Sequence, residues 1–344
     1  MGSFFEENIM KTCYPAYYRN FRCSAGKCTD SCCMHWEIDI DEKSLEKYKS
    51  CNGVLSDRLR AAVAEEDGTA HFILGEDERC PFLNKNNLCD IILNMGEESL
   101  CYICATHPRF VFRFGGREEW GVGLCCEEAA KLILNPAEDD RIICIGETSD
   151  ETSADFELAD CIPDILRARD ALLANSALYS AAWNRNADNA HSEALRFNRR
   201  FFSQKNIRAL TECFLSLEAL SDRWTEALQY IHDNAQLIMK RRADFLKAQP
   251  EAPTQYERLF RYFIFRHFMK LLEDCFDEDD LAYCVNLKLM LALRSVCFIE
   301  LLDVAAWQKN KAFTAEDQIN ICKLFSQEIE YSAESTEALE LFEI

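Results

Sequence analysis

The sequence lacks the signals of export and of membrane insertion. Residues 1–7 contain neither a basic region nor an apolar core, so they do not read as a secretory signal. No run of about 18 apolar residues occurs, and no membrane-spanning helix is therefore predicted. From these absences we expect a cytoplasmic protein that does not enter a membrane.

Glycine is scarce, with 11 residues in a chain of 344. Dinucleotide-binding and related folds use a Gly-x-Gly-x-x-Gly turn, because bare backbone must approach the ligand closely there. This turn is missing from the sequence. The nearest fragment, Gly121-Val122-Gly123, lies in a predicted strand. This pattern argues against a Rossmann-type nucleotide-binding fold.

Basic residues are also few, with 38 Lys and Arg against 59 Asp and Glu and a formal net charge of −21. Such a surface repels phosphate backbones, so nucleic acid is not an expected partner. A cationic protein surface is a better match. Solubility alone is the alternative explanation for the charge.

Cysteine, by contrast, is abundant, with 19 residues in total. In a reducing compartment the thiols are expected to stay free, and an odd total suits a disulfide framework badly. Thirteen of them lie at or before Cys144. The closely spaced groups are Cys23, Cys28, Cys32 and Cys33; Cys80 and Cys89; Cys101 and Cys104; and Cys125 and Cys126.

Thiolates spaced this closely can converge on one soft metal or on an iron–sulfur cluster. The adjacent Cys32 and Cys33 do not easily bind one ion together, so one supports the other or they serve two metals. His35 is a possible additional ligand. The alternatives are a zinc scaffold without chemistry and cysteines that merely pack in a core.

The composition changes near an acidic, polar stretch, which predicts two domains. We expect a Cys-rich metal-binding domain at 1–146, an acidic linker at 147–158, and an α-helical domain at 159–344. The predicted fold class is mainly α with a small α+β N-terminal part. The acidic residues near 137–160 could attract a positively charged substrate, or they could simply be solvated.

Local patterns predict several elements of the first domain. Alternating residues 36–41 predict a strand, and Asp41 is placed to cap a short helix after it. Residues 109–114 and 117–122 flank Gly115-Gly116 as in a β-hairpin, with Arg113 opposite Glu118 and Val111 opposite Trp120. A further helix is expected from Cys125-Cys126 to Pro136.

The second domain shows apolar residues at helical spacing almost throughout. Helices are predicted at about 157–175, 190–220, 222–247, 255–274, 279–307 and 314–330. Leu259–Phe268 is apolar nearly all round and predicts a buried central helix of a bundle. Arg266 and His267 lie within it, and we expect them to have buried partners.

The cysteine motifs also carry a resemblance to a known family. The matching segments are Phe21 through Cys23, Cys28, Cys32, Cys33, Trp36, Ile38, Ile40 and Asp41; Cys80-Pro81-Phe82-Leu83-Asn84; Leu88-Cys89-Asp90-Ile91; Gly96-Glu97-Glu98; Cys104-x2-His107-Pro108-Arg109; and Leu124–Leu134. Tyr262–Phe268 adds a weaker match. In order and spacing, this string resembles the flagellin lysine-N-methylase family of cysteine-rich zinc- or iron-chelating proteins.

The resemblance implies methyl transfer from S-adenosylmethionine to lysine side chains of flagellin, with a metal centre in the N-terminal part. It places the metal ligands at Cys23, Cys28, Cys32, Cys33, Cys80, Cys89, Cys104 and Cys126. The family pattern differs at Cys101, Cys125 and His107, so the metal site is either enlarged here or these thiols pack. An iron–sulfur cluster or zinc is the implied cofactor.

Arg109 is the candidate donor-binding residue, because a guanidinium can bind a carboxylate in bidentate fashion. A strand-end arginine paired with an acid is the alternative. The metal centre itself is another candidate for binding the amino and carboxylate groups of the donor. No catalytic base is assigned. The competing function is a non-enzymatic metal or electron-transfer module whose helical half binds a partner.

Overall fold

A computed structural model describes residues 11–29, 31–34, 38–66, 68–147, 156–176 and 193–343. The fold is mostly helical, with a small β region in the N-terminal part and a helical C-terminal part, as predicted. Within the described ranges, no helix has the length and apolar composition needed to cross a bilayer.

The chain divides into two compact units. The cysteine-rich unit comprises Phe21–Phe110 and Cys126–Glu128. The helical unit comprises Met1–Asn20, Val111–Cys125 and Ala129–Ile344. The boundaries of these units differ from those of the predicted domains. The reason is that the helical unit includes strands from both sides of the cysteine-rich segment. Most of the predicted linker at 147–158 lies outside the described residues.

The cysteine-rich unit combines a small sheet with short helices. Its strands are β2 (Asp39–Ile40), β3 (Val63–Glu66) and β4 (Thr69–Phe72), in the order β2-β4-β3. Its helices are α1 (Glu42–Ser50), α2 (Ser56–Ala61), α3 (Asp90–Met95) and α4 (Tyr102–Thr106). Tyr48, Phe72 and Phe82 are buried in its core. The predicted strand at 36–41 is confirmed only at Asp39–Ile40, since residues 35–37 lie outside the described part.

Asp41 caps helix α1 as predicted. Its Oδ1 accepts a hydrogen bond from the Ser44 backbone N at 3.0 Å. Its Oδ2 accepts a second one from the Tyr102 N at 2.7 Å, at the start of α4. One carboxylate therefore satisfies amide donors of two helix N-termini, where negative charge is stabilising.

The predicted hairpin is also confirmed. Strand β5 spans Arg109–Phe114 and strand β6 spans Arg117–Val122, and the two are neighbours in one sheet. Gly115 and Gly116 have φ values of 49° and 67°, the left-handed conformation that a two-residue turn requires. The Arg113 Nε lies 3.4 Å from Oε2 of Glu118, so the expected ion pair is present.

Four of the described strands were not predicted: β3 and β4 of the small sheet, and two further strands of the larger sheet. Strand β1 (Lys11–Pro15) pairs in parallel with β6 and antiparallel with β7 (Ile142–Ile145), which gives the sheet order β5-β6-β1-β7. Cys13 lies directly opposite Cys144 in this register, and the two form a disulfide. The expectation of free thiols throughout is therefore wrong for this pair. In the part of the chain that the structure describes, no second disulfide is present.

The remaining helices belong mainly to the helical unit. They are α5 (Glu127–Leu134), α6 (Ile162–Ala174), α7 (Glu193–Phe201), α8 (Gln204–Leu215), α9 (Asp222–Ala248), α10 (Ala252–His267), α11 (Leu271–Asp274), α12 (Leu281–Asn310), α13 (Ala315–Phe325) and α14 (Ala333–Leu341). A π-helical turn, Ser326–Glu330, follows α13. The predicted helix at 190–220 is divided because Ser203 caps α8, accepting from the Asn206 N at 3.2 Å.

Helix α12 is the centre of the helical unit. It packs against α9, α10, α13 and α14, and every residue from Leu291 to Ala305 is buried. Helix α10 is likewise buried from Leu259 to Phe260 and from Tyr262 to His267, as the apolar pattern predicted. The predicted central helix is thus one of two, and the longer α12 makes more of the helix contacts.

Candidate functional site

Half of the predicted metal ligands share one hydrophobic core in the cysteine-rich unit. This core group consists of Cys33, Cys80, Cys89 and Cys104, and the core also contains Cys51 and Cys101. The Cys80 backbone N donates to the Cys33 carbonyl at 2.9 Å, and Leu83 forms a β-bridge with Cys89. Segments far apart in sequence therefore contribute these cysteines to one core.

The other predicted ligands, Cys23, Cys28, Cys32 and Cys126, lie outside that core and form the outer group. Cys28 Sγ is 3.6 Å from Oε2 of Glu127, the residue next to Cys126. The same carboxylate oxygen accepts a hydrogen bond from the Thr29 N at 2.9 Å. The start of helix α5 is thereby joined to the loop that contains Cys28.

Cys32 and Cys33 connect the two groups. Their thiols share a hydrogen bond, which raises the pKa of Cys32, and burial and the nearby thiols of Cys126 and Cys23 raise it further. The bond to Cys32 lowers the pKa of Cys33 to about 7, against the effect of burial and with help from Ser31 and Arg79. Cys33 is therefore the thiol of this pair that is closer to its thiolate form, which is the form that binds metals.

Burial opposes ionisation in the rest of the core group. It raises the pKa of Cys80 to about 11, with further upward contributions from Cys33 and Cys89. The pKa of Cys104 is raised by its hydrogen bond to Cys101, then by burial and by the charges of Cys101, Cys33 and Cys80. These thiols are close enough to repel one another when ionised, a cost that a bound cation would remove.

These residues suit a metal by the chemistry of their donor atoms, but not by the arrangement of their side chains. The donors are soft sulfur atoms of the kind that bind zinc or iron–sulfur clusters. Among the described residues, however, no three His, Cys, Asp or Glu side chains are arranged closely enough to hold one ion. The metal ligands therefore stay predictions, and His35 lies outside the described part.

Arg109, the predicted donor-binding residue, begins strand β5. Its guanidinium stacks on the ring of Phe21, with Cζ 4.9 Å from the ring centroid. This cation–π contact accounts for the position of the side chain. Its proposed contact with the donor carboxylate remains a prediction.

A second constellation of polar side chains lies inside the helical unit, and we call it the Glu330 cluster. It consists of Tyr262, Arg266, His267 and Glu330, all of which are largely buried. Glu330 Oε1 lies 2.7 Å from His267 Nε2 and 3.1 Å from Arg266 Nε. Tyr262 Oη donates to Glu330 at 3.1 Å and accepts from Arg266 Nη1 at 2.6 Å. It also accepts from the Leu124 N at 3.1 Å.

The charges in this cluster balance. Although burial opposes it, Arg266 and His267 lower the pKa of Glu330 to about 2. Burial lowers the pKa of His267 to about 4. At neutral pH the cluster therefore contains a glutamate anion, an arginine cation and a neutral histidine. This balance explains how the charged groups tolerate a desolvated position.

The expectation of buried partners for Arg266 and His267 is confirmed. Their common partner, Glu330, was not identified from the sequence, because it belongs to the π-helical turn after another helix. The one available signal was the presence of charged residues in an apolar helix. That signal indicates that a partner exists but not where it lies in the chain.

A family model for the FliB lysine N-methylase C-terminal domain matches residues 138–343, which is more than half of the chain. The chain belongs to the FliB lysine N-methylase family. The match covers most of the helical unit, including the Glu330 cluster.

Curated relatives agree with this family. The flagellar biosynthetic protein FliU of Salmonella muenchen is 26% identical over 145 residues, covering 39% of this chain and 80% of the relative. Lysine-N-methylases of Salmonella choleraesuis (strain SC-B67) and of Salmonella typhimurium (strain LT2) are each 27% identical over 135 residues. Those matches cover 35% of this FliB-family chain and 32% of each lysine-N-methylase, so about a third of their length is matched. No solved structure matches the chain significantly.

Proposed function

We propose that this protein is a lysine N-methylase that transfers methyl groups from S-adenosylmethionine to lysine side chains of flagellin in the cytoplasm. The observation that carries the proposal is the match of residues 138–343 to the FliB lysine N-methylase C-terminal domain. The names of the relatives, lysine-N-methylase and flagellar biosynthetic protein, support the reaction and the flagellar context.

Electrostatics favour a lysine-bearing substrate. A net charge of −21 attracts a cationic polypeptide and increases its rate of encounter. The reaction itself requires a neutral lysine nitrogen aligned with the methyl group of the sulfonium donor. Because the chain has no glycine-rich nucleotide turn, its donor site is expected to differ from that of Rossmann methyltransferases.

We further propose a thiolate metal centre in the cysteine-rich unit. The core group, Cys33, Cys80, Cys89 and Cys104, would supply one set of sulfur ligands. The outer group, Cys23, Cys28, Cys32 and Cys126, would supply a second set, joined to the first through Cys32 and Cys33. A metal bound there would hold together segments that have little secondary structure of their own. Zinc and an iron–sulfur cluster both suit these ligands.

The test is incubation of the purified protein with S-adenosylmethionine carrying a labelled methyl group and with flagellin from the same cell. Label on flagellin lysines, located by peptide mass spectrometry, is the expected result. Unlabelled flagellin in the presence of metal-loaded, folded protein would instead favour the non-enzymatic metal or electron-transfer module. A donor titration followed by the absorption spectrum of the metal-loaded protein tests whether the metal centre binds the donor. An unchanged spectrum would contradict that role.

A further inference from the structure

Tyr331 is the exposed neighbour of the Glu330 cluster. About half of its surface (48%) is open to solvent, whereas the cluster residues beneath it are buried. Its ring centroid lies 5.2 Å from Cζ of Arg266, and its hydroxyl accepts a hydrogen bond from Cys125 Sγ at 3.1 Å. The ring is thus supported by a fixed guanidinium, and the hydroxyl is directed towards the protein interior.

The helical backbone directly before this position is of an uncommon kind. Tyr331 directly follows the π-helical turn Ser326–Glu330 and has φ −106° and ψ 6°. π-Helical turns are rare and occur frequently at functional sites. Glu330 ends this turn inside the buried cluster, and Tyr331 follows it at the surface.

Gly123 directly follows strand β6 and allows the backbone to pass close to this ring. A Cβ atom at Gly123 would lie 2.9 Å from the Tyr331 hydroxyl and 2.8 Å from Arg266 Nη1. Both distances are shorter than real Cβ contacts, so only glycine fits without displacing the side chains. The backbone at Gly123 and the side chains of Arg266 and Cys125 therefore hold Tyr331 in one place.

An aromatic ring held in this way is well suited to binding. A buried ion pair adds little net stability to a fold. We therefore attribute the Arg266–Glu330 pair to the positioning of the neighbouring side chains, including Tyr331. A ring that is already fixed loses little conformational freedom when a partner packs on it, and tyrosine is enriched among residues that dominate interfaces. The side chain of Tyr283 is 58% exposed and makes no hydrogen bond or ring contact within the described residues.

We propose that the solvent-exposed surface of the Tyr331 ring is the contact surface for a lysine side chain of the protein substrate. The apolar stem of lysine packs on an aromatic face, and its ammonium group is attracted by the ring when it lies above it. Because Arg266 is paired with Glu330, the charge beneath the ring is neutralised and does not repel the incoming lysine. The inference rests on the proposed function for the identity of the substrate, flagellin.

The test is the affinity for flagellin in the absence of S-adenosylmethionine, measured by isothermal titration calorimetry. Tyr331→Ala should bind at least about tenfold more weakly, since it removes the ring. Tyr331→Phe keeps the ring and should stay within about twofold of the wild-type affinity. Tyr283→Ala is the control for an exposed tyrosine without these supports, and it should bind as the wild type does.

Thermal melting establishes that each variant is folded, and Tyr331→Met replaces Tyr331→Ala if the alanine variant melts early. Unchanged affinity of the alanine or methionine variant would overturn the proposal, and so would the absence of flagellin binding by the wild type. A phenylalanine variant as weak as the alanine variant would assign the contact to the hydroxyl instead of the ring face. If Tyr331→Ala binds flagellin more weakly but the wild-type protein does not methylate flagellin, the contact surface is supported and only the proposed methylase activity is refuted.

Discussion

The Nη1 atom of Arg169 lies 2.6 Å from Oε2 of Glu119, and the exposed fractions of the two side chains are 0% and 2%. This ion pair joins helix α6 to strand β6. The other carboxylate oxygen of Glu119 lies 2.5 Å from Nη2 of Arg117, so a single buried carboxylate serves two guanidinium groups. Helix α6 and the sheet are therefore coupled through one acidic residue.

Glu119→Gln is expected to destabilise the helical unit strongly. The substitution leaves two largely buried cations facing a neutral amide, and breaking a buried pair costs about 3–5 kcal/mol of unfolding free energy. Asp164→Asn is the control, because its pair with Arg167 has exposed fractions of 66% and 78%. The control should change stability by less than about 0.5 kcal/mol in urea denaturation. Equal stabilities of the two variants would contradict the role assigned to Glu119.

Gly123→Ala should destabilise the protein by about 1–3 kcal/mol, since its new methyl group would overlap Arg266 and Tyr331. Gly75→Ala is the control, because the nearest atom to its added Cβ, the Arg79 carbonyl oxygen, is 3.5 Å away. Thermal melting measures both effects. A Gly123→Ala protein as stable as Gly75→Ala would show that the backbone at Gly123 does not approach the cluster so closely.

The stability of the protein should fall between pH 7 and pH 5 through His267. Burial lowers the folded-state pKa of His267 to about 4, below its ordinary value of 6.5. The unfolded chain therefore takes up the proton first, and acidification through this window favours unfolding by about 2 kcal/mol. Glu330, with its pKa lowered to about 2 from 4.5, adds its loss only as the pH falls below about 4.5.

His267→Gln removes the titrating group but keeps a side-chain donor for Glu330. Its unfolding free energy should depend less on pH between 7 and 5 than that of the wild type. Urea denaturation at several pH values measures the two slopes. Parallel slopes would mean that His267 is not the group that takes up the proton.

The cysteine-rich unit offers a matched pair of variants for the metal hypothesis. Cys80 and Cys51 belong to the same hydrophobic core, but only Cys80 is a predicted ligand. Cys80→Ala should lower the metal-to-protein ratio, whereas Cys51→Ala should leave it unchanged, as measured by inductively coupled plasma mass spectrometry. Equal metal contents in the two variants would refute the ligand assignment. Cys32→Ala, compared with Cys80→Ala, tests whether the outer group holds metal of its own.

Local features of the sequence predicted much of the secondary structure correctly. The glycines at 115–116 predicted the hairpin, Asp41 predicted the start of α1, and Pro136 follows the end of α5. Each of these signals acts within a few residues. The division of the predicted helix at 190–220 also has a local signal, because serine at position 203 is a preferred helix-capping residue.

Pairing between distant segments was not predicted. Strand β1 pairs with β6 at Lys11 and Arg117, and periodicity within either segment carries no information about the other. The same limit applies to the disulfide between Cys13 and Cys144 and to the joint partner of Arg266 and His267.

The sequence by itself established the mostly helical class, the concentration of thiols in the front half and the family resemblance, because composition, spacing and order are properties of the chain. The tertiary structure decided which cysteines share a core, which carboxylate neutralises the buried arginine, and which tyrosine stays exposed beside it. Those outcomes depend on how helices and strands pack across the whole chain. Burial makes an unpaired charge costly, yet only the fold determines which distant residue becomes its partner.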